Sequence, residues 1–488
     1  MSPSSIRFGT DGWRAVISHE FTFANVRRVA QAIADFVSEE TTRVPSVVVG
    51  FDTRFLSDRY ALAVAEVLAD NGIQVILSRS DCPTPALSYA VCHLRAAAGV
   101  MLTASHNPPR YNGLKVKAPY GGPASAEVMQ RIKAHLSSPK SQTLPDLPVP
   151  ESAFDAPHSS LVTPMNLMPL YLDHLRSLVD LEAIGRAGLR AAVDPMYGAG
   201  RGYLRSILAA AGCDVLEIRG ELNPGFGGIY PEPIERNLAA LVAAVRDNRR
   251  DVGLATDGDA DRIGAVDALG RFVSPQIIFA LALRHLVERR GLRGAVVKTV
   301  STTAMVNVLA ERYGLPLYET PVGFNHICDL ILANDVLIGG EESGGITIRG
   351  HIPEGDGILM GLLLLEIMAT CDQPLHVIIS ELMDDVGPFH YGRNDLKTRP
   401  FDEAQDRPFS KEELVERLMA EVPSRVCGLR VEGINNSDGV KYLLEDENWL
   451  LIRPSGTEPV LRIYAEARSR EMVGRLLEEG AKLAGVEK

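Results

Sequence analysis

Three aspartates alternate in Asp257-Gly-Asp-Ala-Asp-Arg262, directly after the apolar run Gly253-Leu-Ala-Thr256. In an extended segment, alternate side chains share a face, so Asp257, Asp259 and Asp261 would present three carboxylates to one point. Three like charges that close repel one another unless a cation lies between them. An all-oxygen set suits Mg²⁺ or Mn²⁺, with positions left for water and a phosphate oxygen. A calcium loop numbered from Asp257 needs Gly at its sixth position and Glu at its twelfth. Arg262 and Ala268 stand there, and that reading fails. The plainer alternative is a solvated acidic turn; the preceding apolar strand and Arg262 weigh against it.

Four further segments carry polar groups on turns. Thr103-Ala-Ser-His-Asn-Pro108 offers a hydroxyl and an imidazole. Ser105 there is either a cap or Ser-turn residue or a nucleophile. The adjacency of His106 decides nothing, because such pairs meet in space rather than in sequence. Lys115 and Lys117 nearby would suit a phosphorylated serine. Arg453-Pro-Ser-Gly-Thr-Glu-Pro459 combines a guanidinium, two hydroxyls and a glycine, a reasonable phosphate nest with Arg462 as a second fork. It is equally an ordinary Pro/Gly turn, and it lacks the order of a nucleotide P-loop. Gly340-Glu-Glu-Ser-Gly-Gly345 puts carboxylates, good acceptors for vicinal sugar hydroxyls, on a flexible loop that also reads as a strand-ending turn. Phe8-Gly-Thr-Asp-Gly-Trp-Arg14 is glycine-rich and ends in a cation.

The elements that must hold these loops alternate in type. Val26, Val29, Ala30, Ile33, Phe36 and Val37 repeat at helical spacing. Ser46-Val-Val-Val-Gly50 reads as a buried strand followed by the polar Asp52-Thr-Arg54, then a helix over Tyr60 to Leu68 and a strand over Ile73 to Leu77. Residues 138 to 165, rich in Ser and Pro, read as a linker. Beyond it come strands at Ala191–Asp194, Val215–Ile218 and Val252–Ala255, and then at Ala295–Lys298 and Val336–Ile338 before a helix over Ile358 to Ala369. The last hundred residues differ, with a charged helix near Lys411 to Ala420 and a closing helix from Glu471 to Leu483. The pattern predicts three similar α/β units and one α+β cap. Three of the polar loops follow strand ends, where open α/β sheets bind ligands, so they could converge on one cleft.

Composition sets the outer limits. The chain has 488 residues, 46% hydrophobic and 23% charged, with 62 acidic residues against 50 basic ones and a net charge of -12. Such a balance repels nucleic acid and anionic membranes, so an anionic substrate needs locally gathered cations. The six cysteines lack CxxC spacing and read as reduced thiols of a cytoplasmic protein. The start of the chain is too short and polar for a signal peptide. The apolar run Gly361-Leu-Leu-Leu-Leu365 stops at Glu366, far short of a membrane span.

Together and in this order, the segments TASHNP, DGDADR, GEESGG and RPSGTEP resemble the α-D-phosphohexomutase superfamily, which includes phosphoglucomutase and phosphomannomutase. The likeness covers nearly the whole chain. It implies three α/β domains with mixed sheets and a C-terminal α+β domain around a central cleft, here bounded at 1–155, 156–268, 269–387 and 388–488. It implies that Ser105 carries a phosphoryl group, that Asp257, Asp259 and Asp261 hold Mg²⁺ with the phosphoserine, and that Glu341 and Ser343 bind sugar hydroxyls. Arg453, Ser455, Gly456 and Thr457, with Arg462, would grip the phosphate that is not being transferred. Arg262, Arg14 and Lys115 would stabilise oxygens in flight. Lys115, His106, Lys298 and His326 are the candidates for acid and base, with His326 also placed to meet substrate.

The expected reaction interconverts hexose 1- and 6-phosphates through a hexose 1,6-bisphosphate, which also serves as activator, in a monomer or homodimer. Two departures stand out. Asn325 follows the aromatic where some relatives carry lysine, and Gly355 precedes Asp356 where many carry a basic residue. They keep a hexose-1,6-bisphosphate synthase among the alternatives, beside a phosphoglucosamine mutase, a phosphatase and a non-catalytic sensor. A sensor would be expected to lose Ser105 or an aspartate of the triad, and all four are present.

Overall fold

A computed structural model describes residues 6–9, 12–40, 44–142, 159–397, 411–454 and 460–485. Its strands form four sheets. In the first, Tyr111–Lys117, Ala98–Leu102, Ser46–Phe51 and Gln74–Ser78 lie side by side; the last three are parallel and the first is antiparallel to its neighbour. The second sheet repeats this order with Ile263–Asp267, Val252–Thr256, Arg190–Asp194 and Asp214–Glu217. The third repeats it with Ile346–Ile348, Val336–Gly340, Ala295–Thr299 and Leu317–Thr320. One topology used three times underlies the recurring pattern in the sequence.

The inner strands are apolar along their whole length because both faces are covered. Ala98–Leu102, Val252–Thr256, Ala295–Thr299 and Val336–Gly340 are buried at every position, as parallel strands between helix layers must be. The helix predicted over Val26 to Val37 runs Phe23–Glu40, and its periodic apolar set is fully buried. The linker reading of 138 to 165 is overturned at its end. Val162–Met165 is a strand, parallel to Gln74–Ser78 at the edge of the first sheet. Pro164 is tolerated there because an edge strand can leave one side of its ladder unbonded; residues 143–158 of that segment lie outside the described ones.

The fourth sheet is antiparallel throughout, in the order His390–Lys397, Val460–Ala467, Trp449–Pro454, Val440–Leu444, Leu429–Asn435, Arg425–Val426. The helices Lys411–Ala420 and Arg470–Leu483 supply Leu414, Leu418, Val473 and Leu476 to its own core. Among the described residues no single helix is long and apolar enough to cross a membrane.

The apolar helix Gly357–Cys371 is buried continuously from Gly357 to Met368, and Glu366 is buried with it. That carboxylate is tolerated because its partners surround it. It accepts from His285 Nε2 at 2.8 Å, Arg290 Nε at 2.9 Å and Nη2 at 2.5 Å, and the backbone N–H of Asp180 at 2.8 Å. Burial works to raise its pKa, but these donors overcome that and pull it down to about 2. A depressed folded pKa adds stability that is complete above the ordinary Glu value of about 4.3 and lost as pH falls towards 2. Glu366→Ala leaves His285 and Arg290 without their acceptor, and should cost about 3–5 kcal/mol. Urea unfolding at pH 7 checks this, and a variant as stable as wild type would refute it.

Candidate active site

In each α/β unit the third parallel strand enters a polar loop and returns as its own antiparallel neighbour. Ala98–Leu102 turns through 103–110 into Tyr111–Lys117, Val252–Thr256 through 257–262 into Ile263–Asp267, and Val336–Gly340 through 341–345 into Ile346–Ile348. The serine, aspartate and glutamate loops therefore occupy one topological position, at the carboxyl ends of parallel strands.

The first two loops touch. Ser105 is buried and adopts the left-handed conformation, with φ 49°. Its Oγ donates to Asp257 Oδ2 at 2.8 Å and lies 3.3 Å from His106 Nδ1. Gly258 makes this approach possible, because a Cβ there would come within 2.4 Å of the Ser105 carbonyl oxygen.

Asp257, Asp259 and Asp261 bring one carboxylate oxygen each to within 4.8 Å of one another. They converge through a turn, not through the extended alternation the sequence suggested. Asp257 Oδ1 accepts the N–H groups of Asp261 and Arg262 at 3.1 and 3.3 Å, closing the loop on itself, while Ala260 takes φ 58°. Short acidic side chains compete for backbone donors in this way. Lys115 Nζ bridges Asp259 Oδ2 and Asp261 Oδ2, both at 2.8 Å, and Thr84 Oγ1 donates to Asp259 Oδ2 at 2.5 Å. The Oδ1 atoms of Asp259 and Asp261 are buried without a hydrogen-bond partner. Burial, then repulsion from Asp261 and Asp259, pushes Asp257 well above the usual carboxylate range. Two buried orphan oxygens in a cluster of three carboxylates fit a hard divalent cation.

Cations ring this cluster. Arg262 faces Glu232 Oε1 at 3.7 Å and Asp261 Oδ1 at 3.9 Å, and Arg14 donates to Asn107 Oδ1 at 3.0 Å. Burial and the charges of Arg262, Arg14, Lys115 and Arg393 hold His106 well below its ordinary pKa, so it is a neutral imidazole at pH 7.

The glutamate loop joins from the third unit. Gly344, at φ 100°, carries a carbonyl that accepts from the Ile263 N–H at 3.3 Å, and a Cβ at Gly344 would strike the Ile263 carbonyl oxygen at 2.6 Å. Glu341 Oε1 accepts the Gly323 N–H at 2.9 Å, and Ser343 Oγ lies 3.5 Å from its other oxygen. Burial, then the charge of Glu342, pushes Glu341 up to about 7. His326 is in the first turn of the helix Phe324–Ala333, its N–H on the Gly323 carbonyl. Gly355 is wedged here too: a Cβ would meet the Asp261 carbonyl oxygen at 2.7 Å and Gly345 Cα at 2.8 Å. Packing between the two loops therefore leaves no room for a side chain at Gly355.

From the fourth domain, Arg453 and Arg462 are paired across neighbouring strands. Arg453 Nε donates to Asp438 Oδ2 at 2.6 Å, and the same oxygen accepts the Val322 N–H at 2.9 Å. That link ties the strand Trp449–Pro454 to the loop before His326. Ser455, Gly456 and Thr457 lie outside the described residues.

Lys298, the remaining candidate for acid or base, has contacts of another kind. Its fully buried ammonium donates to the Thr302 and Thr303 carbonyls at 3.1 and 3.2 Å and pairs with Glu319 at 3.2 Å. Glu319 also holds Lys441 of the fourth domain at 3.0 Å, so Lys298 belongs to an interdomain ion cluster. The sequence reading missed Thr84, Arg54 and Arg393. For Arg54 a signal existed: Asp52-Thr-Arg54 is one more polar segment at the carboxyl end of a strand, Ser46–Phe51.

Comparison with known proteins agrees with this geometry along the chain. Four family models match, described as phosphoglucomutase/phosphomannomutase alpha/beta/alpha domain I over residues 5–143, domain II over 169–270, domain III over 274–386 and the C-terminal domain over 411–483. A phosphoglucomutase/phosphomannomutase of Thermococcus kodakarensis is 31% identical over 478 residues, 98% of each chain. A probable phosphoglucosamine mutase of Methanothermobacter thermautotrophicus is also 31% identical, over 95% of this chain and 94% of its own. The crystal structure of a putative phosphomannomutase from Thermus thermophilus superposes with a TM-score of 0.82 at 37% identity, covering 98% of this chain and 99% of its own.

Proposed function

The chain belongs to the phosphoglucomutase/phosphomannomutase family of phosphotransferring isomerases, and from that membership we propose that it interconverts the 1- and 6-phosphates of glucose, mannose or both through phosphoserine 105. The observation that carries this reading is the buried contact between Ser105 Oγ and Asp257 at 2.8 Å, inside a three-carboxylate cluster bridged by Lys115.

The phosphoryl group on Ser105 passes to the free hydroxyl of a bound hexose phosphate. The Ser–O–P bond breaks, an O–P bond to the sugar forms, the sugar hydroxyl gives its proton to a base, and the leaving seryl oxygen takes up a proton. The resulting 1,6-bisphosphate turns over, and Ser105 Oγ takes the other phosphoryl group. Neutral His106, 3.3 Å from the seryl oxygen, suits the return step, in which Ser105 Oγ attacks the other phosphoryl group and gives up its own proton. Phosphoryl transfer asks mainly for positioning and charge neutralisation, which Lys115, Arg262 and Arg14 supply. Mg²⁺ held by Asp257, Asp259 and Asp261 would draw charge from the transferring group. Arg453 and Arg462 suit the phosphate at rest.

Glu341 suits sugar hydroxyls once ionised. Its pKa of about 7 then gives a sign: below pH 7 the protonated acid is the poorer acceptor, so KM rises as pH falls. The substrate phosphate itself titrates near pH 6, so Glu341→Gln is the control. It should show a raised KM and lose the component near pH 7; a profile unchanged from wild type would remove Glu341 from sugar binding.

The test of the function is a coupled assay on glucose 1-phosphate, mannose 1-phosphate and glucosamine 1-phosphate, with Mg²⁺ and catalytic glucose 1,6-bisphosphate. Glucosamine is included because phosphoglucosamine mutases stand among the relatives at similar identity. Isomerisation of glucose or mannose phosphate supports the reading. Release of bisphosphate without isomerisation favours the synthase, and no turnover by phosphorylated protein would overturn the mutase.

A further inference from the structure

Asp52 and Arg54 take no part in the chemistry proposed above, yet they are only 2% and 3% exposed. Charges that deep are tolerated when their hydrogen-bonding capacity is met. Arg54 Nη2 donates to the carbonyls of Ser105 at 2.5 Å and Asn107 at 2.6 Å, and Nη1 to those of Pro108 and Tyr111, both at 3.0 Å. Its Nε faces Asp52 Oδ2 at 3.2 Å. One planar fork thus gathers three carbonyls of a single loop and that of Tyr111, where the next strand begins.

Asp52 works on the other side of the serine. Its Oδ2 accepts from Thr103 Oγ1 at 2.6 Å, and Thr103 Oγ1 in turn accepts the Ser105 N–H at 2.8 Å. Asp52 Oδ1 is fixed by the Arg54 N–H and by Ser57 Oγ, both at 2.9 Å. Both backbone groups of Ser105 are therefore held, its N–H through Thr103 and its C=O by Arg54. Such clamping matters because φ 49° is unfavourable for a residue with a Cβ. Strained conformations at functional sites persist only where the surroundings over-determine them.

The same segment reaches the unit that carries the aspartate loop. Thr53 Oγ1 donates to the Tyr197 carbonyl at 2.9 Å, and the Phe226 ring lies 4.9 Å from the Arg54 guanidinium carbon. We propose that Asp52, Arg54 and Thr103 are positioning residues that hold Ser105 in its left-handed conformation and in register with Asp257, setting the rate of both phosphoryl transfers without contributing to sugar binding. This rests on the reading of Ser105 as the phosphoryl carrier.

Thr103→Val isolates the brace, since valine keeps the shape and removes the hydroxyl that both Asp52 and Ser105 use. Misplacement of a reacting atom by about 1 Å can cost on the order of 100-fold in rate. The expected result is a kcat lower by about 10- to 100-fold with KM changed less than about twofold, the signature of an interaction that matters only in the transition state. The Mg²⁺ concentration for half-maximal rate should stay at the wild-type value, and Thr103→Ser should recover kcat to within about threefold. Asp52→Asn, which keeps the shape but weakens the hold on Arg54, gives a second measure of the same kcat/KM split if the valine variant folds poorly. A wild-type kcat in both variants, or a loss carried by KM, overturns the brace while the mutase reading stands. Turnover that survives Ser105→Ala overturns the carrier and the brace with it.

Discussion

Ser105→Ala should lower mutase turnover by at least about 1,000-fold, to the level of a protein with no phosphoryl carrier. The side chain removed is the group that touches both Asp257 Oδ2 and His106. The cations proposed to meet the transferring phosphate, Lys115, Arg262 and Arg14, remain, so equilibrium binding of hexose phosphate should stay near the wild-type value while label from radioactive glucose 1,6-bisphosphate no longer enters the protein. Activity and binding then separate, which distinguishes a lost carrier from a collapsed cleft. Labelling that persists in the variant would transfer the carrier role to another side chain, His106 first among them.

Much of this site was legible before the fold was known, for a physical reason. Loops that gather phosphate and metal need glycines for close approach and charged side chains at fixed spacing, and both leave marks in sequence. Gly258 and Gly344 are such marks: a Cβ at the first would strike the Ser105 carbonyl oxygen, and one at the second that of Ile263. The three-unit organisation was legible as alternating elements, although only the strand orders reveal one topology repeated. What stayed hidden was set by tertiary contact. Lys298 ends an apolar strand like a site residue, but Glu319 and two carbonyls hold its ammonium elsewhere. The convergence of Asp257, Asp259 and Asp261 came from backbone N–H groups folding onto Asp257, which no alternation rule describes. Val162–Met165 looked like linker because it closes a segment rich in Ser and Pro, and a sheet edge is where a strand tolerates a residue such as Pro164.

The aspartate loop carries the second large effect, and it runs in two directions at once. Three carboxylates within 4.8 Å, two of them fully buried, oppose one another in the metal-free protein; Lys115 meets two of them, and Asp257 is left with a strongly raised pKa. A raised folded pKa means that the folded state holds a proton the unfolded chain releases, so stability at this site falls as pH rises above about 3.9. Asp257→Asn removes that charge and keeps acceptors for the Asp261 and Arg262 N–H groups. The metal-free variant should be more stable than metal-free wild type at pH 7.5 by about 0.5–2 kcal/mol. Its turnover should fall on the order of 1,000-fold, because the charge that holds the cation is gone. Chelator should abolish wild-type turnover and lower its unfolding midpoint, Mg²⁺ should restore both, and the midpoint of the variant should respond to neither. A variant less stable than metal-free wild type would mean that Asp257 is held as a structural hydrogen-bond acceptor. The stability gain with the loss of turnover would identify the loop as a site where folding energy is given up for a cation.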